Sequence, residues 1–249
     1  MTINPMALTG KHILVTGASS GIGRQTAITA SRLGARLSLM ARNDERLAQT
    51  MAALEGDGHA SRVFDLTNLG GIADVIKGIV ANSGPLDGLV NSAGVGELRP
   101  IRLSNPDFLD KVFRINFFPF VELVRCAGNR KHSNPGASFV GISSVAAFKG
   151  AKAQGAYAAS KAAIDAVVRP MAKELADRRV RVNAAAFGMI HTDIYQDFLD
   201  VVGSDEALAS QYLGVGQNED AANVICFLLS DAARFITGST LIADGGFLS

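Results

Sequence analysis

The chain has 249 residues, of which 48% are apolar and 19% charged, so it can bury a substantial core and lacks the composition of a disordered protein. With 24 Lys and Arg against 23 Asp and Glu, its formal net charge of +1 supplies no broad electrostatic field for nucleic acid or an anionic membrane. Two cysteines do not make the disulfide framework of a small secreted domain, and no apolar run approaches membrane-spanning length. We expect a cytoplasmic protein with a small-molecule partner and no metal site.

Short runs rich in Val, Ile and Leu alternate along the chain with longer segments of helical periodicity. This alternation is typical of repeated strand–helix–strand units, which build a parallel sheet covered by helices on both faces. The predicted strands are 12–15, 36–40, 61–64, 88–90, 138–142, 181–185 and 240–243. The predicted helices are 22–33, 44–54, 69–81, 107–129, 157–176 and 219–229. We therefore expect an α/β fold with a doubly wound, mostly parallel sheet of seven strands.

A glycine-rich turn follows the first predicted strand and leads directly into a helix; it reads Thr16-Gly17-Ala18-Ser19-Ser20-Gly21-Ile22-Gly23-Arg24. Glycines let the backbone approach a pyrophosphate, and the amino terminus of a helix offers unpaired N–H groups and a positive dipole end. An ordinary tight turn would need one glycine, not three. The turn predicts a dinucleotide-phosphate site formed by Gly17, Ser19, Ser20, Gly21, Ile22 and Gly23.

Two chemically reactive side chains, Tyr157 and Lys161, are four residues apart, so on a helix they lie on one face. A tyrosine with a pKa of about 10 is a poor acid or base at neutral pH, and a nearby ammonium lowers that pKa by favouring the phenolate. Ser144 ends a predicted strand, where α/β sheets bind ligands. Taken alone, the Tyr157 and Lys161 pair also fits an ordinary solvated helix face.

The turn and these side chains together resemble the short-chain dehydrogenase/reductase family. The turn has the family's Gly-x-x-x-Gly-x-Gly spacing, Ser144, Tyr157 and Lys161 match its catalytic residues in type and spacing, and Asn116 matches the fourth member of its tetrad. The likeness runs from Lys11 to the terminal Asp244-Gly245-Gly246. It implies a single Rossmann-like NAD(P)-binding domain over residues 1–249 that transfers hydride to or from a carbonyl or secondary alcohol.

The same resemblance implies a role for each site residue. Ser144 would hydrogen-bond the substrate oxygen, Tyr157 would exchange a proton with it, and Lys161 would hold the nicotinamide ribose and tune Tyr157. Asn116 would anchor a water of the proton relay. Further cofactor contacts are implied at Asp65 and Leu66 for the adenine, at Asn91, Ala93 and Gly94 after the fourth strand, and at Gly188, Ile190 and Thr192 for the nicotinamide.

Pro119 lies within the predicted helix 107–129, three residues after Asn116. Because proline has no N–H, the carbonyl of Ile115 loses its helical partner and the helix is expected to kink. The freed carbonyl would be able to accept a bond from the relay water. Alternatively, the proline only bends a long helix around the core.

The second predicted strand is followed by Ala41-Arg42 at the position where an acid marks NAD binding in dinucleotide folds. Ala41 provides no acid, and a planar guanidinium suits a 2′-phosphate. Arg42 therefore favours NADP(H) over NAD(H), although it also fits an exposed surface charge. Asn43 is expected to cap the helix that follows.

Residues 189–216 fit neither the strand nor the helix pattern, and we interpret them as a substrate lid. Ile194, Tyr195 and Phe198 begin an apolar stripe at helical spacing, which Leu199 and Val202 continue. Tyr195 and Phe198 are the predicted lid contacts, and the open alternative is that the stripe belongs to the core.

The leading hypothesis is an NADP(H)-dependent reductase of a ketone, with a 3-oxoacyl thioester as one candidate substrate and a sterol-like or sugar-derived ketone as others. A protein that senses NADP(H) without turnover is the alternative. The helix 107–129 is apolar around most of its circumference, which predicts pairing with another subunit in a homotetramer or homodimer.

Overall fold

A computed structural model of the chain describes residues 4–192, 194–195 and 211–249. Its centre is one parallel sheet of seven strands in the order β3-β2-β1-β4-β5-β6-β7. The strands are β1 (His12–Thr16), β2 (Arg36–Ala41), β3 (Ala60–Val63), β4 (Leu86–Asn91), β5 (Ser133–Ser144), β6 (Arg181–Phe187) and β7 (Thr240–Ala243). The predicted α/β class and all seven strands are confirmed, with ends that differ by a few residues.

Seven α-helices accompany the sheet in the described part of the chain. They are α1 (Gly21–Arg32), α2 (Asp44–Ala52), α3 (Ile72–Ser83), α4 (Pro106–Asn116), α5 (Phe118–Ala127), α6 (Gly155–Glu174) and α7 (Asn218–Leu229). Asn43 caps α2 by accepting a bond from the Arg46 N–H at 2.8 Å, as predicted. Each of these helices is too short or too polar to cross a bilayer.

The predicted helix 107–129 is two helices, α4 and α5, which meet at Phe117. Pro119 occupies the first turn of α5, where its missing N–H costs least. The predicted disruption is therefore confirmed, but it is a break between two helices and not a kink within one. Asn116 consequently lies at the end of α4 instead of in a helix interior.

The two faces of the sheet carry separate cores because successive strand side chains point in opposite directions. On one face Val15 and Val140 pack with Ile225 of α7, and α1 lies beside α7. On the other face Phe139 packs with Phe120 of α5, among residues of α3 and α6. Burial on both faces explains why the central strands are continuously apolar.

The strand order reverses between β1 and β4, because the chain places β2 and β3 on one side of β1 and all later strands on the other. At such a reversal the two crossover connections leave in opposite directions, and a crevice opens at the carboxyl ends of the strands. The glycine-rich turn after β1 and the residues after β4 both border this crevice.

His12 on β1 is a buried titratable residue at the opposite end of the sheet from that crevice. Its Nδ1 lies 2.9 Å from the Gly84 carbonyl and its Nε2 lies 2.8 Å from the Ser38 hydroxyl. Burial, aided by the positive charge of Arg36, lowers the pKa of His12 below its ordinary value of 6.5. The folded protein therefore holds His12 neutral at a pH where the unfolded chain protonates it.

We expect the free energy of unfolding to decrease as the pH falls below 6.5, because the unfolded chain then binds a proton that the folded protein does not. One such proton contributes up to about 1.4 kcal/mol per pH unit. Urea denaturation between pH 8 and pH 5 should show a flatter pH dependence for His12→Gln than for the wild type. The partly exposed His59 supplies the control, His59→Gln, and equal slopes in all three proteins would contradict the expectation.

Candidate active site

A cavity of about 1000 Å³ occupies the crevice at the carboxyl ends of the strands. It extends from Arg42 and Asp65 at one end to Ser144 and Tyr157 at the other. Among the predicted site residues, those that line it are Gly17, Ser19, Ser20, Gly21, Ile22, Arg42, Asp65, Leu66, Ala93, Gly94, Ser144, Tyr157, Lys161, Gly188, Ile190, Thr192 and Tyr195. The predicted residues Gly23, Asn91 and Asn116 lie behind this lining and support it.

The glycine-rich turn has a backbone that only glycine adopts easily. Gly17 and Gly21 have φ angles of +65° and +50°, in the left-handed region. A Cβ atom on Gly17 would lie 2.7 Å from the backbone nitrogen of Ala93. Asn91 accepts a bond of 2.8 Å from the Thr16 hydroxyl and thereby joins β4 to β1. The two loops that border the crevice are thus held in direct contact.

The amino terminus of α1 faces the cavity with unpaired hydrogen-bond donors. Ser20 occupies the capping position, but its side chain makes no capping hydrogen bond, and the first turn contains no acidic residue. Ser20, Gly21 and Ile22 all line the cavity. Free N–H groups at the positive end of a helix dipole form a site for an anionic group such as a phosphate.

One end of the cavity combines Arg42 and Asp65. Arg42 is exposed, whereas Ala41 before it is buried. The Asp65 carboxylate accepts bonds from the N–H and the hydroxyl of Thr67 at 2.9 and 2.8 Å, and these bonds, with a smaller contribution from Arg42, hold the pKa of Asp65 below its ordinary value. A guanidinium and an ionised carboxylate therefore face the same end of the cavity.

Asn116 braces the segment that follows β4. Its Oδ1 accepts a bond of 2.8 Å from the Val95 N–H, and its Nδ2 donates bonds of 3.0 Å to the Val95 carbonyl and to the Ser160 hydroxyl. The fully buried amide is thus satisfied by protein groups. The Asn116 side chain thus fixes the loop that contains Gly94 and Val95, and Gly94 lies next to the Lys161 ammonium.

Ser144, Tyr157 and Lys161 meet at the end of the cavity opposite Arg42. Ser144 ends β5, while Tyr157 and Lys161 lie one turn apart on α6. The Lys161 ammonium is 2.9 Å from the Ile142 carbonyl, to which it donates, and 5.7 Å from the centre of the Tyr157 ring. The pattern in the sequence therefore corresponds to one cluster in space.

Burial shifts the pKa values in this cluster. Burial raises the pKa of Tyr157 above its ordinary value, and the Ser144 hydroxyl opposes this rise. Burial also lowers the pKa of Lys161 to about 8, against the opposing charge of Asp165. Desolvation of the phenolate is the larger influence on the pKa of Tyr157, and the predicted lowering of that pKa by Lys161 stays a prediction.

The segment after β6 is held by Gln211, which the sequence analysis did not identify. The buried amide of Gln211 accepts a bond of 2.8 Å from the Met189 N–H and donates one of 3.1 Å to the Met189 carbonyl. Gly188 leaves room for this side chain, since a Cβ there would lie 2.5 Å from Gln211 Oε1. Nothing in the sequence marks the partner of Gln211, which is 22 residues away.

The predicted lid is described only at its two ends. Ile194 and Tyr195 line the cavity, and the Tyr195 ring lies edge-on to His191 with 5.5 Å between the ring centres. Phe198, Leu199 and Val202 lie outside the described residues, so the lid stays a prediction.

The cavity lining also includes residues that were not predicted, among them Lys149, Lys152 and Phe247. Lys149 places its ammonium 4.9 Å from the centre of the Phe247 ring. The two lysines come from the segment between Ser144 and Tyr157, which leaves a strand at its carboxyl end. Because ligands bind at the carboxyl ends of strands in such sheets, the location of this segment directly after β5 could have identified it as a ligand-facing loop.

Comparison with known proteins identifies the class to which this fold and site belong. Residues 17–248 match the family model described as enoyl-(acyl carrier protein) reductase. A short-chain type dehydrogenase/reductase of Mycobacterium ulcerans has 34% identity and a TM-score of 0.86, with 97% of this chain and 91% of the other covered. A short-chain dehydrogenase/reductase of Serratia marcescens has 27% identity and a TM-score of 0.89, with 99% of this chain and 100% of the other covered.

Three named relatives illustrate the range of the family. A 3-oxoacyl-[acyl-carrier-protein] reductase of Rickettsia felis is 34% identical, with 97% of this chain and 98% of the relative covered. A cyclopentanol dehydrogenase of Comamonas testosteroni is 32% identical (95% and 96% covered), and an L-xylulose reductase of Caenorhabditis elegans is 31% identical (96% of each). This chain belongs to the short-chain dehydrogenase/reductase family and is an oxidoreductase of the CH–OH/C=O type.

We expect Asn116→Asp to lower the free energy of unfolding by about 1–3 kcal/mol, although the two side chains have the same shape. The change replaces Nδ2, which donates to the Val95 carbonyl, by an oxygen that faces that carbonyl. Asn129→Asp is the matched control, because Asn129 is exposed and only accepts, from the Lys131 N–H. Denaturant titrations that show equal losses for the two variants would contradict the bracing role of Asn116.

Proposed function

We propose that this protein is an NADP(H)-dependent reductase or dehydrogenase that acts on a small ketone or the corresponding secondary alcohol. The observation that carries the proposal is the arrangement of one cavity, with Ser144, Tyr157 and Lys161 at one end and the glycine-rich turn and Arg42 towards the other. Its volume of about 1000 Å³ and its donor set, which combines free helix N–H groups with a guanidinium, fit a dinucleotide with a substrate beside it.

The nicotinamide, when bound, supplies or accepts the hydride. For reduction, the Ser144 hydroxyl donates a hydrogen bond to the carbonyl oxygen, and the Tyr157 hydroxyl gives that oxygen its proton. The Lys161 ammonium would hold the nicotinamide ribose, and it would stabilise the phenolate that forms on Tyr157 when the proton is transferred. A raised pKa of Tyr157 before binding keeps its proton in place until it is needed.

The Asn116 amide already bonds Val95 and Ser160, and a main-chain carbonyl next to it offers the proposed relay water a further acceptor. The carbonyl of Ile115 has no N–H four residues later, because that position is Pro119, and Ile115 lines the cavity. We propose that Asn116 supports proton transfer through position, by fixing the end of α4 where this carbonyl becomes available.

The preference for NADP(H) rests on Arg42. It lines one end of the cavity directly after the buried Ala41, and Ala41 occupies the position at the end of β2 where an acid would bind the ribose hydroxyls. A guanidinium at this position is able to form charge-assisted bonds to a 2′-phosphate.

The substrate end of the cavity is largely apolar, with residues such as Leu98, Val145 and Met189, and it carries the cations of Lys149 and Lys152. This surface suits a hydrophobic ketone with an anionic group, and a 3-oxoacyl thioester on an acidic carrier belongs to that class. The name of the Rickettsia felis relative supports a 3-oxoacyl thioester as the substrate. The names of the other two relatives support a cyclic alcohol or a sugar as alternative substrates. We further propose that residues 189–216 cover the substrate, with Tyr195 in contact.

A homotetramer or homodimer is proposed from the surface of α4 and α5. Phe113, Phe117 and Phe118 are partly exposed and pack against each other with ring centres about 6 Å apart. Leu109 on the same helix pair is 38% exposed. An apolar surface of this kind is typical of a subunit interface. The alternative of a sensor without turnover is not favoured, since the named relatives are enzymes and the proton-transfer group is intact.

A panel of ketones assayed by NADPH absorbance tests the activity, and Tyr157→Phe tests its mechanism. The variant keeps the ring but loses the proton donor, so we expect turnover to fall about 10²-fold or more while NADPH binding persists. Tyr212→Phe is the matched control, because Tyr212 is exposed and does not line the cavity. Near-wild-type turnover of Tyr157→Phe would reject the mechanism, and a wild type inactive on every ketone and alcohol would reject the function.

Arg42→Ala is expected to weaken NADPH binding by about 1.5–3 kcal/mol and to leave NADH binding nearly unchanged, because only NADPH carries the 2′-phosphate. Dissociation constants for both cofactors, measured by fluorescence titration, give the comparison. Arg46→Ala controls for the loss of a positive charge, since Arg46 is exposed on the neighbouring helix α2 and does not line the cavity. Equal losses for NADH and NADPH would show that Arg42 does not contact the 2′-phosphate.

A further inference from the structure

Asp165 is a buried carboxylate that the mechanism above does not use. It lies on α6 one turn after Lys161 and is 7% exposed. Its Oδ2 accepts a bond of 2.9 Å from the Ser143 hydroxyl, and its Oδ1 accepts a bond of 2.9 Å from the Thr240 hydroxyl. Both oxygens are therefore bonded by neutral donors from two different strands, β5 and β7.

These contacts connect Asp165 to β5, which carries Ser144, and Asp165 shares helix α6 with Tyr157 and Lys161. Ser143 directly precedes Ser144 on β5, and its hydroxyl also lies 3.3 Å from the Lys161 carbonyl. Lys161 and Tyr157 are on the same helix as Asp165, and Thr240 belongs to the strand that pairs with β6. The carboxylate is thus bonded to the residue that precedes Ser144 and lies on the helix that carries Tyr157 and Lys161.

A carboxylate at this position is not explained by stability alone. Burying a charge is costly, and well-packed apolar side chains in place of a buried polar cluster are often as stable or more stable. In the described part of the chain, the cations that act on Asp165 are Lys161 and Arg169, and Arg169 is exposed. Lys161 is the buried one, so its ammonium gains most from the negative charge.

The charge of Asp165 also favours the protonated form of Lys161. Burial lowers the pKa of Lys161 to about 8, and the charge of Asp165 is the influence that opposes this decrease. Burial raises the pKa of Asp165, and the bonds from Ser143 and Thr240, followed by the charges of Lys161 and Arg169, oppose that rise. The two hydroxyls therefore favour the ionised carboxylate, which in turn favours the ammonium.

We propose that Asp165 is a positioning residue for hydride and proton transfer, whose carboxylate, held by Ser143 and Thr240, keeps the Lys161 ammonium charged in its buried site. This inference rests on the proposed function, because it assigns Asp165 a role through the residue that binds the ribose and assists Tyr157. A purely structural strut between α6, β5 and β7 would use the same hydrogen bonds but would not require the charge.

The experiment compares the pH dependence of kcat/KM for ketone reduction in four proteins: the wild type, Asp165→Asn, Thr240→Val and Asp57→Asn. Asp165→Asn removes the charge and keeps the shape, whereas Thr240→Val removes one hydrogen bond and keeps the charge. Asp57→Asn removes a charge from an exposed loop residue. NADPH affinity, measured by fluorescence across the same pH range, gives a readout that does not depend on turnover.

Without the Asp165 charge, Lys161 should lose its proton at a lower pH, so the basic limb of the profile should move to lower pH. For Asp165→Asn we expect a loss in kcat/KM of about threefold or less at pH 6.5 and of about tenfold or more at pH 8.5, with NADPH affinity falling over the same pH interval. Thr240→Val should shift the limb less, and Asp57→Asn should follow the wild type.

A uniform loss at every pH in Asp165→Asn, or equal shifts in Asp165→Asn and Thr240→Val, would overturn the proposal and leave a structural role. If Asp165→Asn does not fold, the double change Asp165→Leu with Thr240→Val replaces the carboxylate and one partner by apolar groups, with the same shift expected. If the wild type is active and the basic limb does not move in Asp165→Asn, the role of Asp165 is rejected and the proposed function is not. A wild type without activity on any ketone rejects the proposed function instead.

Discussion

The contact between the turn after β1 and the residues after β4 is the constraint on which the rest of the site depends. Only glycine fits at Gly17, since its φ is positive and a Cβ would meet the backbone of Ala93. This approach places the amino terminus of α1 at the reversal of strand order, where its free N–H groups face the cavity. Because β4, β5 and β6 are parallel to β1, the residues that follow their carboxyl ends line the same cavity.

Burial has opposite consequences for the two ionisable groups at the catalytic end. It holds the proton on Tyr157, because the phenolate would be poorly solvated, and it weakens the hold of Lys161 on its proton. A carbonyl reductase needs a protonated tyrosine as the proton donor, and it also needs the lysine to keep its positive charge. The Ile142 carbonyl and the charge of Asp165 are the described groups that favour the ammonium. The catalytic end is thus an electrostatic balance among buried groups, in which charge and hydrogen bonding offset desolvation.

The fold identifies the reaction type more sharply than the substrate. Relatives with similar identity and nearly full coverage are named for a 3-oxoacyl thioester, a cyclic alcohol and a sugar. The segments after β5 and β6 and the carboxyl terminus contribute Lys149, Tyr195 and Phe247 to the lining of the cavity. We propose that substrate specificity lies in Lys149, Lys152, Tyr195 and their neighbours, because substitutions in these segments need not alter the sheet.

The sequence by itself determined the sheet, the glycine-rich turn and the residue types of the catalytic cluster, because periodicity, turn chemistry and helical spacing are local properties. It also placed a disruption at Pro119, since a missing N–H acts within one turn. Only the tertiary structure decided that this disruption separates two helices, that the amide of Asn116 is occupied by Val95, and that Gln211 and Asp165 support the site. It also showed that burial raises the pKa of Tyr157. These features depend on which distant residues come into contact and on how deeply each side chain is buried. A local sequence pattern specifies neither of these, because both arise only when the chain is folded.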